Sequence, residues 1–186
     1  MQLPIKVDDV RLSIPEILEQ VSNEKFHDEK IKILQLNEND GLKIYLKALL
    51  HPNITFKLPR GAIPGIKGVE SVEGEPDKGL YQLMDLHYFI NGTPTCEQQN
   101  NIQRERKFME FCDTLTETEL EALVNLKDKN RSAYPGIYDQ CVNEAFPEMF
   151  SDEEKNLLDP NVPKPKPGPK TGDKPERMKP KIPRTK

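Results

Sequence analysis

The side chains able to do chemistry in this chain are few and scattered. His27, His51 and His87 stand far apart, and none has Cys, Asp or Glu at metal-ligand spacing on an apolar helical face. Asp85 precedes His87 by two positions, which on a helix turns it around the axis rather than beside the ring. His87 therefore reads as a core or interface histidine. His51, before Pro52, reads as a partner for the carbonyls that end its own helix. Cys96, Cys112 and Cys141 are odd in number and lack any CxxC pairing, so free thiols in a reducing cytoplasm are expected. With 31 Asp and Glu residues a general acid–base pair is available in principle, but nothing singles out two of them. No catalytic residue, metal ligand or cofactor site is assigned.

Charge is more informative. From Pro163 onward stand nine basic and two acidic residues, +7, with seven prolines; residues 1–162 hold 18 basic and 29 acidic, −11. The whole-chain value of −4 thus joins an acidic body to a basic end. Alternating Pro and Lys offers neither helix nor apolar face, so residues 161–186 are expected to be a disordered tail. Extended at ~3.1 Å per residue, its basic part reaches about 75 Å. Lys164, Lys166, Lys170, Lys174, Arg177, Lys179, Lys181, Arg184 and Lys186 are its candidate contacts to nucleic-acid phosphates, made without sequence choice. The alternative is a solvating extension, or one lying on the protein's own acidic body. In the body, QRERK holds the one compact positive cluster, Arg104, Arg106 and Lys107, a candidate partner surface. The competing reading is a solvated face with an Arg106–Glu110 pair at i,i+4.

These residues need elements to hold them. Ser13 and Glu16 form a capping box with Pro15 in the first turn, and Ile14, Ile17, Leu18 and Val21 then follow one helical face. A second helix is expected over 24–36 with Phe26, Ile31 and Leu34 inward. A third, capped by Asp40, carries Leu42, Tyr45, Leu46 and Leu49 on one side and ends at His51-Pro52. NITFKLP alternates like a short strand but has no evident partner. Residues 79–90 predict a helix with Leu80, Leu83, Met84, His87 and Ile90 on one face. Thr95 and Gln98 are read as the cap of a long helix burying Ile102, Met109 and Cys112, with Phe108, Phe111 and Leu115 adjacent. Thr116 and Glu119 box the next, with Leu120, Leu123 and Val124 inward. After Tyr134-Pro135-Gly136, a last strong helix buries Ile137, Cys141, Val142, Ala145 and Phe146. Ser151 and Glu154 cap a brief turn.

The expectation is an all-α fold: a compact bundle of about seven short helices over 11–160, behind an arm at 1–10. Its long Gly/Pro-rich loop, 59–79, reads as an interaction or packing loop. It has no GxxxxGK[ST], and no GxGxxG between strand and helix, so it is not a phosphate cradle. The N-terminus lacks a signal-peptide core and no long apolar run exists, so a soluble cytoplasmic protein away from membranes is expected.

Four stretches resemble a family of uncharacterised proteins encoded by large contractile-tailed bacteriophages. They are RLSIPEILEQV, LHPNITFKLPRGAIPG, QRERKFMEFCDTLTETELEALVNLKDKN and YPGIYDQCVNEAFPEMF, in that order over about residues 11–150. The piece ending in KDK and the YxGI…VNEAFP block are its most distinctive parts; the 63–78 loop diverges and the basic tail lies outside. The family is one of unknown function, so the resemblance carries over no site residues. It implies manufacture in an infected bacterium's cytoplasm. The expectation is a non-catalytic accessory or adapter protein binding an unidentified phage or host protein. Alternatives are a virion or assembly component, and an enzyme whose site is assembled from distant residues.

Overall fold

The computed structural model describes residues 12–72, 77, 79–147 and 149, with side chains at 82–84 left out. The arm at 1–10, the Ser151/Glu154 box, the tail at 161–186 and the inward reading of Leu83 and Met84 lie outside the described residues. The described residues form seven α-helices: α1 (Ile14–Asn23), α2 (His27–Leu36), α3 (Asp40–Leu50), α4 (Pro94–Glu97), α5 (Asn101–Cys112), α6 (Glu117–Lys127) and α7 (Asp139–Ala145). Among the described residues there is no strand, only two isolated bridges. The fold is all-α, as the periodicity predicts.

Local chemistry sets most helix starts. Ser13 and Glu16 close a reciprocal box on α1, and Ile14, Ile17, Leu18 and Val21 are fully buried. Thr116 and Glu119 do the same for α6. Elsewhere the cap moves. Asn39, not Asp40, accepts the Leu42 N–H at 2.8 Å to open α3. The 95–112 stretch is two helices: Thr93 caps the single turn of α4, then Asn100 and Gln103 box α5.

The third helix is the axle of the fold. It is buried on nearly every side, packing on the 79–88 segment and on α6, while α1 lies against α2 and α6 and α2 against α7. The His51 backbone N–H donates to the Lys47 carbonyl at 2.9 Å, and side chains from beyond α6 serve the carbonyls after it. Lys129 donates to the Ala48 carbonyl and, at 2.8 Å, to that of His51, while Arg131 donates to Leu50. His51 Nδ1 instead accepts from the Asn53 N–H at 3.3 Å.

Residues Gly79–Tyr88 wind as a 3₁₀ helix rather than the expected α-helix. Leu80, Leu86 and Phe89, spaced in multiples of three, are all buried, and three residues per turn puts that spacing on one side. Glu119 Oε1 accepts the first Leu80 N–H at 2.8 Å, fixing the start. The strand-like piece finds its partner here: Lys57 N–H donates to Phe89 O and Asn91 N–H to Thr55 O, both at 2.8 Å, around a Phe56–Ile90 bridge.

The described part of the Gly/Pro loop is a strap along α6. At one end the buried Lys127 donates to the carbonyls of Pro59 (2.7 Å) and Gly61 (2.9 Å), and Asp128 accepts the Gly61 N–H at 2.8 Å. At the other end Val69 N–H donates to Leu115 O at 2.8 Å. Gly68 there has φ +73°, and a Cβ on it would stand 2.7 Å from the Glu117 nitrogen, so only glycine fits. The KDK triplet thus has a structural explanation, with Lys127 and Asp128 holding the strap and Lys129 the end of α3.

Candidate functional site

Arg104 joins α5 to α4 beside an open cleft. Its side chain is only 3% exposed. The guanidinium donates to the carbonyls of Cys96 (3.1 Å) and Gln99 (2.9 Å) and to Asn101 Oδ1 (3.0 Å). Cys96 lies in α4 and Gln99 in the turn after it, so one planar fork on α5 ties the helix and its exit turn to α5. The expected partner surface therefore loses Arg104, which points inward. Ile102 and Met109, expected inside, are 78% and 46% exposed, while Phe108 and Cys112 are buried. The sequence carried this signal: Arg104, Phe108, Phe111, Cys112 and Leu115 fall on one helical stripe with the arginine at its N-terminal end. An arginine heading an apolar stripe was read as surface because of its charge.

Between α4, the following turn and α5 lies an open cleft of about 630 Å³ lined by Tyr88, Thr95, Gln98, Gln99, Gln103, Arg106, Lys107 and Glu110. Its side chains are held from behind. Thr95 Oγ1 donates to His87 O at 3.1 Å, and Gln99 Nε2 to Thr95 O at 2.8 Å. Gln103 Oε1 accepts the Asn100 N–H at 3.1 Å as part of the α5 cap. Arg106 Nε meets Glu110 Oε1 at 3.0 Å, the i,i+4 pair read from the sequence, with both side chains well exposed. Lys107 Nζ sits 3.2 Å from the centroid of the Tyr88 ring, a cation–π contact. Glu97, near the rim, pairs with Lys57 at 2.7 Å; that hydrogen bond holds its carboxyl below the usual range. The cleft presents amides, hydroxyls and opposite charges: recognition chemistry, with Arg106 and Lys107 in its wall.

A family profile matches residues 17–132, well over half of the chain, under the description "Family of unknown function (DUF6433)". The chain belongs to the DUF6433 family. Within the DUF6433 span lie the cleft, Arg104 and the strap with its Lys127–Asp128 clamp; α7 lies beyond it. No curated protein and no solved structure matches the chain.

The remaining sequence candidates sort by burial. His87 is buried, its ring tilted 35° against that of Tyr88 with centroids 4.2 Å apart. All three cysteines are buried free thiols, and burial pushes Cys112 up to about 12 and Cys141 upward. Such thiols are inert at neutral pH. The buried acid Glu119 is raised by burial against the Leu80 and Thr116 N–H bonds that favour its ionised form. It joins α6 to the 3₁₀ segment. Burial likewise lowers Lys129 to about 8 while it caps α3. The nine basic residues proposed for the tail lie outside the described residues.

Proposed function

We propose that this DUF6433 chain is a non-catalytic adapter, made in the bacterial cytoplasm during infection by a large contractile-tailed phage. It binds a phage or host protein of the replication, transcription or assembly machinery. The phage setting rests on the sequence resemblance. The observation that carries the binding role is the outer ridge of α5. Ile102 and Met109 stand exposed on the same stripe two turns apart, beside Arg106 and the amide-lined cleft. Exposed apolar residues rimmed by ordered polar groups are the anatomy of a protein interface. The test is capture from infected cells with the wild-type chain and with the double variant Ile102→Asp, Met109→Asp. The same partner is expected from repeated wild-type captures and is lost from the variant. An unchanged set of captured proteins removes α5 from the proposal, and recovery of the chain in purified particles replaces the adapter with a virion component.

A second activity is proposed for the tail, on the observation that +7 is concentrated after residue 162 of a body at −11. Contact with nucleic-acid phosphates through it is non-specific and weakens as salt rises. Deleting residues 163–186 should abolish salt-sensitive retention of DNA or RNA. Equal retention by the truncated chain assigns any such binding to the body instead.

A further inference from the structure

Where α7 meets the start of α2, three polar side chains form a relay. His27 Nδ1 lies 2.8 Å from the Tyr138 hydroxyl, and His27 Nε2 lies 2.8 Å from Glu144 Oε2. Gln140 Nε2 donates to the other carboxylate oxygen, Glu144 Oε1, at 2.8 Å. The imidazole and phenol rings stack within 15° of parallel, centroids 5.9 Å apart. Tyr138, Gln140 and Glu144 all come from the YxGI…VNEAFP block that the sequence singled out and the adapter reading leaves unused.

The proton positions follow from the donor and acceptor rules. Hydrogen bonds from Gln140 and then His27 hold the Glu144 carboxyl below its ordinary range, so it is ionised at neutral pH. A carboxylate only accepts, so Nε2 carries the imidazole hydrogen. In the neutral ring Nδ1 is then an acceptor, and Tyr138 must donate its O–H to it. The phenolic proton already points at a base whose tautomer is fixed from the far side. This is the carboxylate–imidazole–hydroxyl connectivity that activates weak oxygen nucleophiles. Tyr138 is 43% exposed and so open to reagents. Tyr45, by contrast, is buried and donates to the Ala122 carbonyl at 2.8 Å, where no base can take its proton.

We propose that Tyr138 is a site of covalent O-acylation, with His27 as its base and Glu144 as the residue that positions the imidazole. The donor is an uncharged activated ester or thioester. Asp28 and Asp139, next in sequence to His27 and Tyr138, join Glu144 as three carboxylates against two cations, Arg131, which pairs with Asp139 at 3.6 Å, and Lys30, held on the Val21 carbonyl. That excess disfavours an anionic phosphoryl donor. In the step, the Tyr138 oxygen bonds to the donor carbonyl carbon while its proton passes to His27 Nδ1. The carbon–oxygen or carbon–sulfur bond breaks with its electron pair on the departing alcohol or thiol, which takes the proton back from the imidazolium. The products are acyl-Tyr138 and a free alcohol or thiol, with His27 and Glu144 returned to their starting forms. This inference is independent of the α5 surface and of the tail.

The full-length protein is treated with p-nitrophenyl acetate, and acetylation is followed residue by residue by peptide mass mapping. Positioned general bases in enzymes contribute about 10²–10⁴-fold, and without a dedicated donor pocket at least ~10-fold is expected here. Tyr138 should thus acquire acetate at least about tenfold faster in the folded wild type than in His27→Ala or in wild type unfolded in urea. Glu144→Gln should fall between, and Tyr138→Phe should leave that peptide unmodified. A purely structural contact would lower the melting temperature of His27→Ala without changing the Tyr138 rate. Equal rates in folded wild type and His27→Ala overturn the proposal. Should His27→Ala fail to fold, equal rates in folded and urea-unfolded wild type overturn it independently.

Discussion

Two arginines two positions apart on the same helix should respond to alanine in opposite ways. Arg104 is 3% exposed and gives three hydrogen bonds, two of them to carbonyls of α4 and of the turn after it. Hydrogen bonds involving a charged partner each contribute about 1.5–3 kcal/mol when buried. Arg104 Nε finds no hydrogen-bond acceptor among the described residues, which offsets part of that gain. Loss of the buried aliphatic stem adds about 1 kcal/mol. Arg104→Ala should therefore cost about 3 kcal/mol. Arg106, whose side chain is 80% exposed, makes one i,i+4 pair with Glu110, so Arg106→Ala should cost under about 0.5 kcal/mol. Urea unfolding followed by circular dichroism reads both. With m at about 1–3 kcal/mol/M, the Arg104→Ala midpoint should fall by about 1–3 M at unchanged slope, and the Arg106→Ala midpoint should stay near wild type. Arg104→Lys should recover only part of the loss, because an ammonium cannot span the two carbonyls as the planar fork does. Equal midpoints for Arg104→Ala and Arg106→Ala would refute the inward placement of Arg104 and restore it to the surface.

Three further outcomes follow from the same contacts. Gly136 has φ +86°, and a Cβ on it would meet Lys30 Nζ at 2.4 Å, so Gly136→Ala should displace the ammonium from the Val21 carbonyl it serves at 2.6 Å. A cost of about 1–3 kcal/mol is expected, read as a fall of several degrees in melting temperature. Lys127→Met keeps the buried stem but releases the strap, so tryptic cleavage after Arg60 and Lys67 should accelerate by about tenfold for each ~1.4 kcal/mol of holding energy lost, while an unchanged rate would show the strap held by other contacts. Burial raises Glu119 above its ordinary value of 4.5, so the folded state binds a proton that the unfolded state releases. Its contribution to stability is full below pH 4.5 and is lost as pH rises through the raised value. Glu119→Gln should flatten the pH dependence of stability above pH 4.5, as measured by urea midpoints across that window.

Elements whose local chemistry agrees with their packing were legible. The Ser13–Glu16 and Thr116–Glu119 boxes, the apolar stripe of α1, the end of α3 at His51-Pro52 and the buried face of α7 all rest on side chains reaching three or four residues away. Errors arose where several local solutions competed. Thr95–Gln98 and Asn100–Gln103 both spell a capping box, but only the second forms, while Thr93 caps α4 and the buried Arg104 fork ties the two helices together. Phe26, expected inside, is 71% exposed, because α2 begins after it and only Lys30 and Leu34 of that helix are fully covered. Residues 79–90 carry a pattern compatible with either helical period, and Glu119 from α6 fixes where the tighter winding starts.

By itself, then, the sequence determined the helical class, most helix ends and the charge division between body and tail, since these depend on neighbours along the chain. Only tertiary structure decided which charges are spent inside. Arg104, Lys127, Lys129 and Glu119 look like surface residues by type, yet each satisfies backbone groups supplied by a segment remote in sequence or by the end of a neighbouring helix. The Tyr138–His27–Glu144 relay was equally hidden, because its members stand 111 and 117 residues apart along the chain and meet only where α7 docks on α2. A hydrogen bond needs two partners within about 3 Å, and over such separations only the fold supplies that proximity.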